Sequence, residues 1–408
     1  MNDKTDNGRG NLLMGILLSL SVCHCCNDTL QAVISSLYPM IKDDLALSFI
    51  QIGIITLIYQ LSASVLQPVM GLYLDRRPNP WFLTVAAVCT LLGMVALAYA
   101  NTLGTVILSV ILVGVGSSIV HPEASRLASL ASGGRRGLAQ SVFQVGGNFG
   151  GSLGPLLAAL VIAPYGRHHT ALVACLAFIG IAASIFVGKW YKKLLLKEGL
   201  LSSGKEEAAK KTVTHRGDPD WIPRPYSDRK TYFVVGVLLV LIFSKYVYMA
   251  SISSYYTFYL IEKFGVSIQD SQYALFVFTF ATAVGTLLGG PIGDKIGRKY
   301  VIWASIVGAA PFSLAMPHAN LTFTVIFSFC VGFTLSSAFP AIVLYAQELL
   351  PNRIGMISGL FFGFSFGIAG IAAAYWGGYA ESHGIEAVYN LSAYLPLLGM
   401  VAVFLPRR

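Results

Sequence analysis

Charge is what this chain of 408 residues has least of. Lys, Arg, Asp and Glu make up 12% of it and hydrophobic residues 55%, whereas about a quarter of an ordinary soluble domain is charged. That deficit excludes a conventional water-soluble globule. The formal charge of +9 is not gathered on one basic face, so nucleic acid is not an expected partner. Metal-type cysteine spacings are absent too. All six cysteines (Cys23, Cys25, Cys26, Cys89, Cys175, Cys330) fall in apolar stretches, with no CxxC repeat, so neither a disulfide framework nor a zinc site is expected. No HExxH occurs, and no Ser/His or paired-Asp arrangement stands out. An enzyme is therefore not expected, and no cofactor is called for. No small-residue cleavage site follows a short apolar core at the N-terminus, so the first apolar helix reads as retained.

What the chain has is hydrophobic length. Twelve apolar stretches, at 11–40, 48–72, 80–100, 103–131, 137–163, 169–190, 231–261, 268–293, 299–317, 320–348, 354–380 and 385–405, lie near the ~20 residues that cross a bilayer. The expectation is an all-α integral membrane protein with twelve transmembrane helices. Residues 191–230 are the one long polar stretch, rich in charge, Ser, Gly and Pro. They separate a six-helix bundle at 1–190 from another at 231–408 and read as a linker. Cations are unequally shared between the two sides. One side holds Lys4, Arg9, Arg76, Arg77, Arg135, Arg136, the 189–230 segment, Lys295, Arg298, Lys299, Arg353, Arg407 and Arg408; the other holds Lys42, Arg167 and Lys263. By the positive-inside rule both termini are cytoplasmic.

The halves repeat at one offset of 219 residues. Gly71 and Asp75-Arg76 align with Gly290 and Asp294-Lys295, Leu47-Ser48 with Val266-Ser267, and Ser117-Ser118 with Ser336-Ser337. Duplicated helical units with a substrate site between them are a transporter architecture, so two pseudo-symmetric six-helix bundles are expected.

Specific motifs sharpen this. "GPIGDKIGRK" at 290–299 needs glycines for a tight turn and close helix approach, with Asp294 near cations and a helix N-terminus. It resembles the loop signature of the major facilitator superfamily at Gly290, Asp294, Lys295, Gly297, Arg298 and Lys299. The first-half copy keeps Gly71, Asp75 and Arg76. "QELLPNRIG" at 347–355 resembles the superfamily's signature after span 10. The resemblance implies that Glu348 and Arg353 join Asp294 and Arg298 in one cytoplasmic charge network whose role is gating. In span 5, Gly150, Gly154-Pro155 and Ala158-Ala159 resemble the element of the superfamily's drug/proton antiporters, with alanines for its last glycines; a close-packed helix alone is the competing account. Over nearly all of both halves, densest in "HPEASRLASLASGGRRGLAQSVFQVGGNFGGSLGPLLAA" and "FSKYVYMASISSYYTFYL", the chain resembles a drug exporter of that superfamily. The resemblance implies the superfamily's fold, the bacterial inner membrane, and proton-driven export of a small anionic phosphonate antibiotic. A monomer in the bilayer is expected.

Ionisable residues at bilayer depth are functional candidates by default. In span 1, His24, Asp28, Gln31, Ser35 and Tyr38 recur at helical spacing on one face, a stripe expected to line an aqueous cavity. Cys23, Cys25 and Cys26 interleave with it. Successive side chains on a helix diverge by about 100°, so these thiols cannot converge on one ion, and they read as packing residues. In span 7, Lys245 is followed by Tyr248, Tyr255, Tyr256 and Tyr259. The repeat offset places Lys245 at the depth of Asp28, so that the two either form a structural pair or serve a cycle. A lone buried Lys needs an acid or an anionic ligand. The expected assignments are therefore Lys245, Tyr248, Tyr255, Arg126 and Gln31 to substrate, and Asp28, Glu123, His24 and His121 to protons. In span 4, Pro122 is expected to kink the helix. Glu123 and Arg126, three residues apart, either handle protons and substrate or form a local gate. Gln60, Gln67, Gln144 and Asn148 either line the cavity or join helices. The rival to export is an uptake symporter for an organic anion or phosphorylated metabolite.

Overall fold

A computed structural model describes residues 12–133, 136–197, 225–350 and 354–406. Every regular element among them is helical. Twelve segments follow one another. α1 is Met14–Ser36 continued by Tyr38–Asp44, and α2 is Phe49–Ser64 continued by Leu66–Arg76. α3 is Phe82–Ala98, α4 Leu103–Leu130, α5 Arg136–Leu157 running on to Tyr165, and α6 Arg167–Lys197. In the second half come α7 (Asp228–Phe264), α8 (Ile268–Ile296), α9 (Arg298–His318), α10 (Leu321–Leu349), α11 (Ile354–His383) and α12 (Ile385–Phe404). Nine of the described helices are long and apolar enough to cross a membrane, and α3 and the first part of α2 are shorter apolar helices. α1 has the length but carries His24, Asn27, Asp28 and Gln31. The twelve expected spans thus each correspond to one segment.

Local sequence accounts for the breaks. α1 is interrupted at Leu37, just before Pro39, which has no N–H to continue the helical ladder. In α4, Pro122 lies inside an uninterrupted helix. In α5 the helix widens to a π-turn over Ala158–Ile162, between Pro155 and Pro164, where the ladder loses two donors. Gly297 joins α8 to α9 at a φ of 93°, a left-handed conformation that a side chain would strain. This is the tight turn expected of "GPIGDKIGRK".

Packing joins α1 to α5 and α6, α3 to α4, α8 to α10, and α9 to α12. Between the halves, α2 lies along α11 and α5 along α8. Among the described residues, three bonds across that divide lie at the end away from the two described chain ends. Phe49 N donates to Glu381 (2.7 Å), Gln272 to the Ser36 carbonyl (2.9 Å) and Gln269 to the Ala159 carbonyl (3.0 Å). Phe49 also sets its ring against Tyr255 and Phe258. At that same end Arg167 is buried, bonded to Asp44 and to the carbonyls of Leu97 and Ala100. One of the few cations on that side thus staples α3 to α1.

Candidate functional site

The α1–α5 seam builds the centre of the first half. Gly150 leaves no room for a side chain against the Cys25 backbone, and Gly147 faces the His24 ring at equally close quarters. α5 therefore lies almost in contact with α1, which small residues allow. The span 5 element is a packing seam that sets the position of His24. That ring stacks on Phe143 at 4.1 Å between centroids and bonds the Phe143 carbonyl through Nδ1 at 3.0 Å.

Asp28 is the hub. Its carboxylate lies 3.1 Å from His24 Nε2 and 3.8 Å from His121 Nε2. It also accepts from Asn27 Nδ2 (3.0 Å) and Gln31 Nε2 (3.2 Å). Gln31 Oε1 in turn accepts from the Tyr59 hydroxyl and from Ser117 (3.1 Å). One connected network thus runs from α1 to α2 and α4. Because a carbonyl only accepts, His24 Nδ1 must carry a hydrogen. Nε2 and the facing carboxylate oxygen therefore share a further proton, held on one or the other.

Part of the expected stripe does not face a cavity. His24 is 2% exposed and Tyr38 1%, the latter accepting from Thr56 at 2.8 Å. Asp28, Gln31 and Ser35 remain half-buried. His24 is buried because α5 comes so close, which periodicity along α1 alone does not reveal. His121, in contrast, joins the centre from α4, 93 residues further along the chain than Asp28. Cys23 is buried with its thiol on the Gly180 carbonyl, whereas Cys25 and Cys26 are partly buried.

In the second half, Lys245 is 5% exposed. The expected pairing with Asp28 is not formed, since Asp28 is taken by the two histidines. Nζ instead lies 5.2 Å from the Tyr246 ring and 5.3 Å from the Phe339 ring, within cation–π range. Among the described residues no acid and no hydrogen-bond acceptor meets it. Tyr248 and Tyr255 do not share its surroundings. Tyr255 donates to the Ala373 carbonyl at 2.7 Å beside Gly53, where α2 lies along α11. Tyr248 is buried with its hydroxyl unpartnered among the described residues. Tyr246 and Phe339 were not singled out in sequence; Tyr246 adjoins Lys245, but Phe339 had no signal.

Glu123 and Arg126 hold each other in a two-bond fork, Nε to Oε2 at 2.9 Å and Nη2 to Oε1 at 2.7 Å. Arg126 also bonds the Tyr191 hydroxyl at 3.0 Å on α6. At the second-half loops Arg298 pairs with Glu348 at 2.8 Å, and Lys299 donates to the Val403 carbonyl at 2.9 Å near the end of α12. Arg353 lies outside the described residues, as do the side chains of Arg76, Asp75 and Asp294 and the surroundings of Gly71 and Gly290.

Comparison with known proteins places this geometry. The profile of the Major Facilitator Superfamily matches residues 20–267 and 237–408. The chain is 52% identical to the fosmidomycin resistance protein of Escherichia coli K12 over 96% of its own length and 93% of the relative's. It is 36% identical to an uncharacterized MFS-type transporter, YfnC, of Bacillus subtilis 168, over 100% of this chain and 96% of that one. Among solved structures, the nucleoside transporter NupG superposes with a TM-score of 0.73 at 11% identity, covering 96% of this chain and 99% of that one. With the family profile matching nearly its whole length and a relative 52% identical over 96% of it, this chain is a membrane transporter belonging to the Major Facilitator Superfamily.

Proposed function

We propose that the protein exports a small organic anion, fosmidomycin or a related phosphonate, from the bacterial cytoplasm across the inner membrane in exchange for protons. The observation that carries this reading is a division of labour between halves. Lys245 is a buried cation with no described counter-charge, and a desolvated ion of that kind calls for an anionic ligand. Buried His24 and half-buried Asp28 form a proton-sharing pair.

In the proposed cycle the phosphonate enters from the cytoplasmic side and binds Lys245 between the Tyr246 and Phe339 rings. The shared proton leaves to the cytoplasm before the anion arrives, since an anion and the deprotonated pair are like charges that repel in one partly desolvated cavity. The bound anion then favours re-protonation of the pair once the cavity faces outward. Opening to the periplasm releases the drug and lets Asp28 take a new proton, and the protonated carrier returns. Each ligand biases the state that the other needs. His121 tunes the Asp28 step. The Glu123–Arg126 fork is assigned to a local gate, because each residue already satisfies the other. Gly71, Asp75, Arg76, Gly290, Asp294, Gly297, Arg298, Lys299, Glu348 and Arg353 are assigned to the gates at the loops. Both termini are placed in the cytoplasm, the working unit is a single chain, and the bundles are bounded at 1–190 and 231–408 about the 191–230 linker.

Everted inner-membrane vesicles carrying the protein should accumulate phosphonate when an inward-acid pH gradient is imposed. Collapse of that gradient should stop them. Accumulation driven only by a gradient of the opposite sense would replace export with the organic-anion symport reading.

A further inference from the structure

His24, Asp28 and His121 bring three ligand-type atoms within 4.8 Å of one another. We propose that His24 Nε2, the Asp28 carboxylate and His121 Nε2 form a binding site for a divalent first-row transition-metal ion of the zinc class. The ion's consequence for transport rests on the proposed role of Asp28; the site itself does not.

Ligand identity comes first. Two imidazoles and one carboxylate suit Zn²⁺, Co²⁺ or Ni²⁺, whereas Mg²⁺ and Ca²⁺ require a shell of oxygens. Distances come next. Zinc bonds to His nitrogen and carboxylate oxygen are about 2.0–2.2 Å, so ligands in a tetrahedral shell sit roughly 3.3–3.5 Å apart. The His24–Asp28 separation is 3.1 Å and the His121–Asp28 separation 3.8 Å. Both fall within about half an ångström of that spacing, each on its own carboxylate oxygen. With all three ligand atoms within 4.8 Å, the shell closes on one ion by rotation of the carboxylate and inward movement of the His121 ring.

The surrounding bonds point the same way. A ligating histidine characteristically hands its other ring N–H to a carbonyl or carboxylate, which fixes the ring and its tautomer. His24 Nδ1 has such a partner in the Phe143 carbonyl at 3.0 Å. The stacked Phe143 ring and the absence of a side chain at Gly147 hold the imidazole with Nε2 turned to Asp28. Asp28 is itself oriented by the amides of Asn27 and Gln31. Access is open, since Asp28 is 23% and His121 27% exposed. Three protein ligands leave a fourth position for water or for an anion. An ion in place occupies the carboxylate that the export cycle needs, so it acts as an inhibitor.

The test uses the full-length protein in detergent with any polyhistidine tag removed. Calorimetric titration with Zn²⁺ should show one ion per chain, with affinity at least ten-fold weaker in His121→Gln and unchanged in a His318→Ala control. Co²⁺ on the unaltered protein should give the intense visible absorption of a tetrahedral nitrogen and oxygen site, which needs no variant to fold. Absence of saturable binding overturns the proposal, as does binding equally tight in His121→Gln and His24→Ala. In everted vesicles Zn²⁺ should suppress proton-driven export by the unaltered protein, and a chelator should restore it. Stoichiometric binding through these residues without loss of export would leave the site standing and remove Asp28 from the proton step.

Discussion

Glu381, near the C-terminal end of α11, accepts a 2.7 Å hydrogen bond from the backbone N–H of Phe49, the first residue of α2 in the other half. A carboxylate from one half thus caps a helix of the other, where the helix dipole favours negative charge by about 0.3–1 kcal/mol at exposed sites. Glu381→Ala should shift the two-state equilibrium toward opening of that end by a factor of about 2–5. A Ser36→Cys reporter in a cysteine-depleted background reads it out: Ser36 is buried at that end, with its carbonyl bonded by Gln272 of the other half, and its labelling by a membrane-impermeant thiol reagent should accelerate by that factor. An unchanged labelling rate would mean that the bond does not latch the halves.

The buried Lys245 gives a prediction with two opposite signs. Lys245→Met removes a desolvated charge with no described partner and replaces it with an apolar chain of similar length, a change that is often stabilising by about 1–4 kcal/mol. Its thermal midpoint without substrate should rise, while phosphonate binding should weaken by at least 100-fold. Lys245→Arg should keep measurable binding. A midpoint that falls in Lys245→Met would show that the ammonium has a partner, and retained binding would move the anion site elsewhere.

Much of this was legible in the chain and some of it was not, for physical reasons. Helix number and the halves follow from hydrophobic length, which the bilayer imposes segment by segment. Asp28, His24 and Lys245 stood out because a charge in an apolar run is costly wherever the run ends up. Which charges meet is a different matter. The offset of the repeat sets depth along the membrane normal but not rotation about each helix, so Lys245 turned toward Phe339 while Asp28 met His121. Phe143 contributes through its backbone carbonyl, which no side-chain pattern can signal. Glu381 carried no signal in sequence, because its partner is a main-chain N–H 332 residues away.

The α1–α5 seam is testable at single-atom scale. A Cβ at position 150 would lie well inside contact distance of the Cys25 backbone, so the helices must part. Gly150→Ala should destabilise the protein by about 1–3 kcal/mol, in the range of overpacked cores, and Gly150→Leu should fail to accumulate in the membrane. By contrast Gly151 faces open space, so Gly151→Ala should be tolerated. Equal thermal midpoints for Gly150→Ala and Gly151→Ala would remove the seam as an explanation of the motif.

Asp28→Asn separates binding from coupling. The amide preserves shape and can still hydrogen-bond Gln31 and Asn27, but it cannot share a proton with His24 Nε2. Phosphonate affinity at Lys245 should be retained or rise, since no contact between Asp28 and Lys245 is lost and a like charge is removed from the cavity. Export against a gradient should fall to the background of empty vesicles, while exchange of labelled for unlabelled phosphonate, which needs no net proton movement, should continue. Glu123→Gln should behave differently: it leaves Arg126 beside Tyr191 without its fork, so exchange and net export should decline together. If Asp28→Asn instead accumulates substrate normally and Glu123→Gln loses only the pH-driven component, the proton step belongs to α4, and the His24–Asp28 pair serves only to hold α1 against α5.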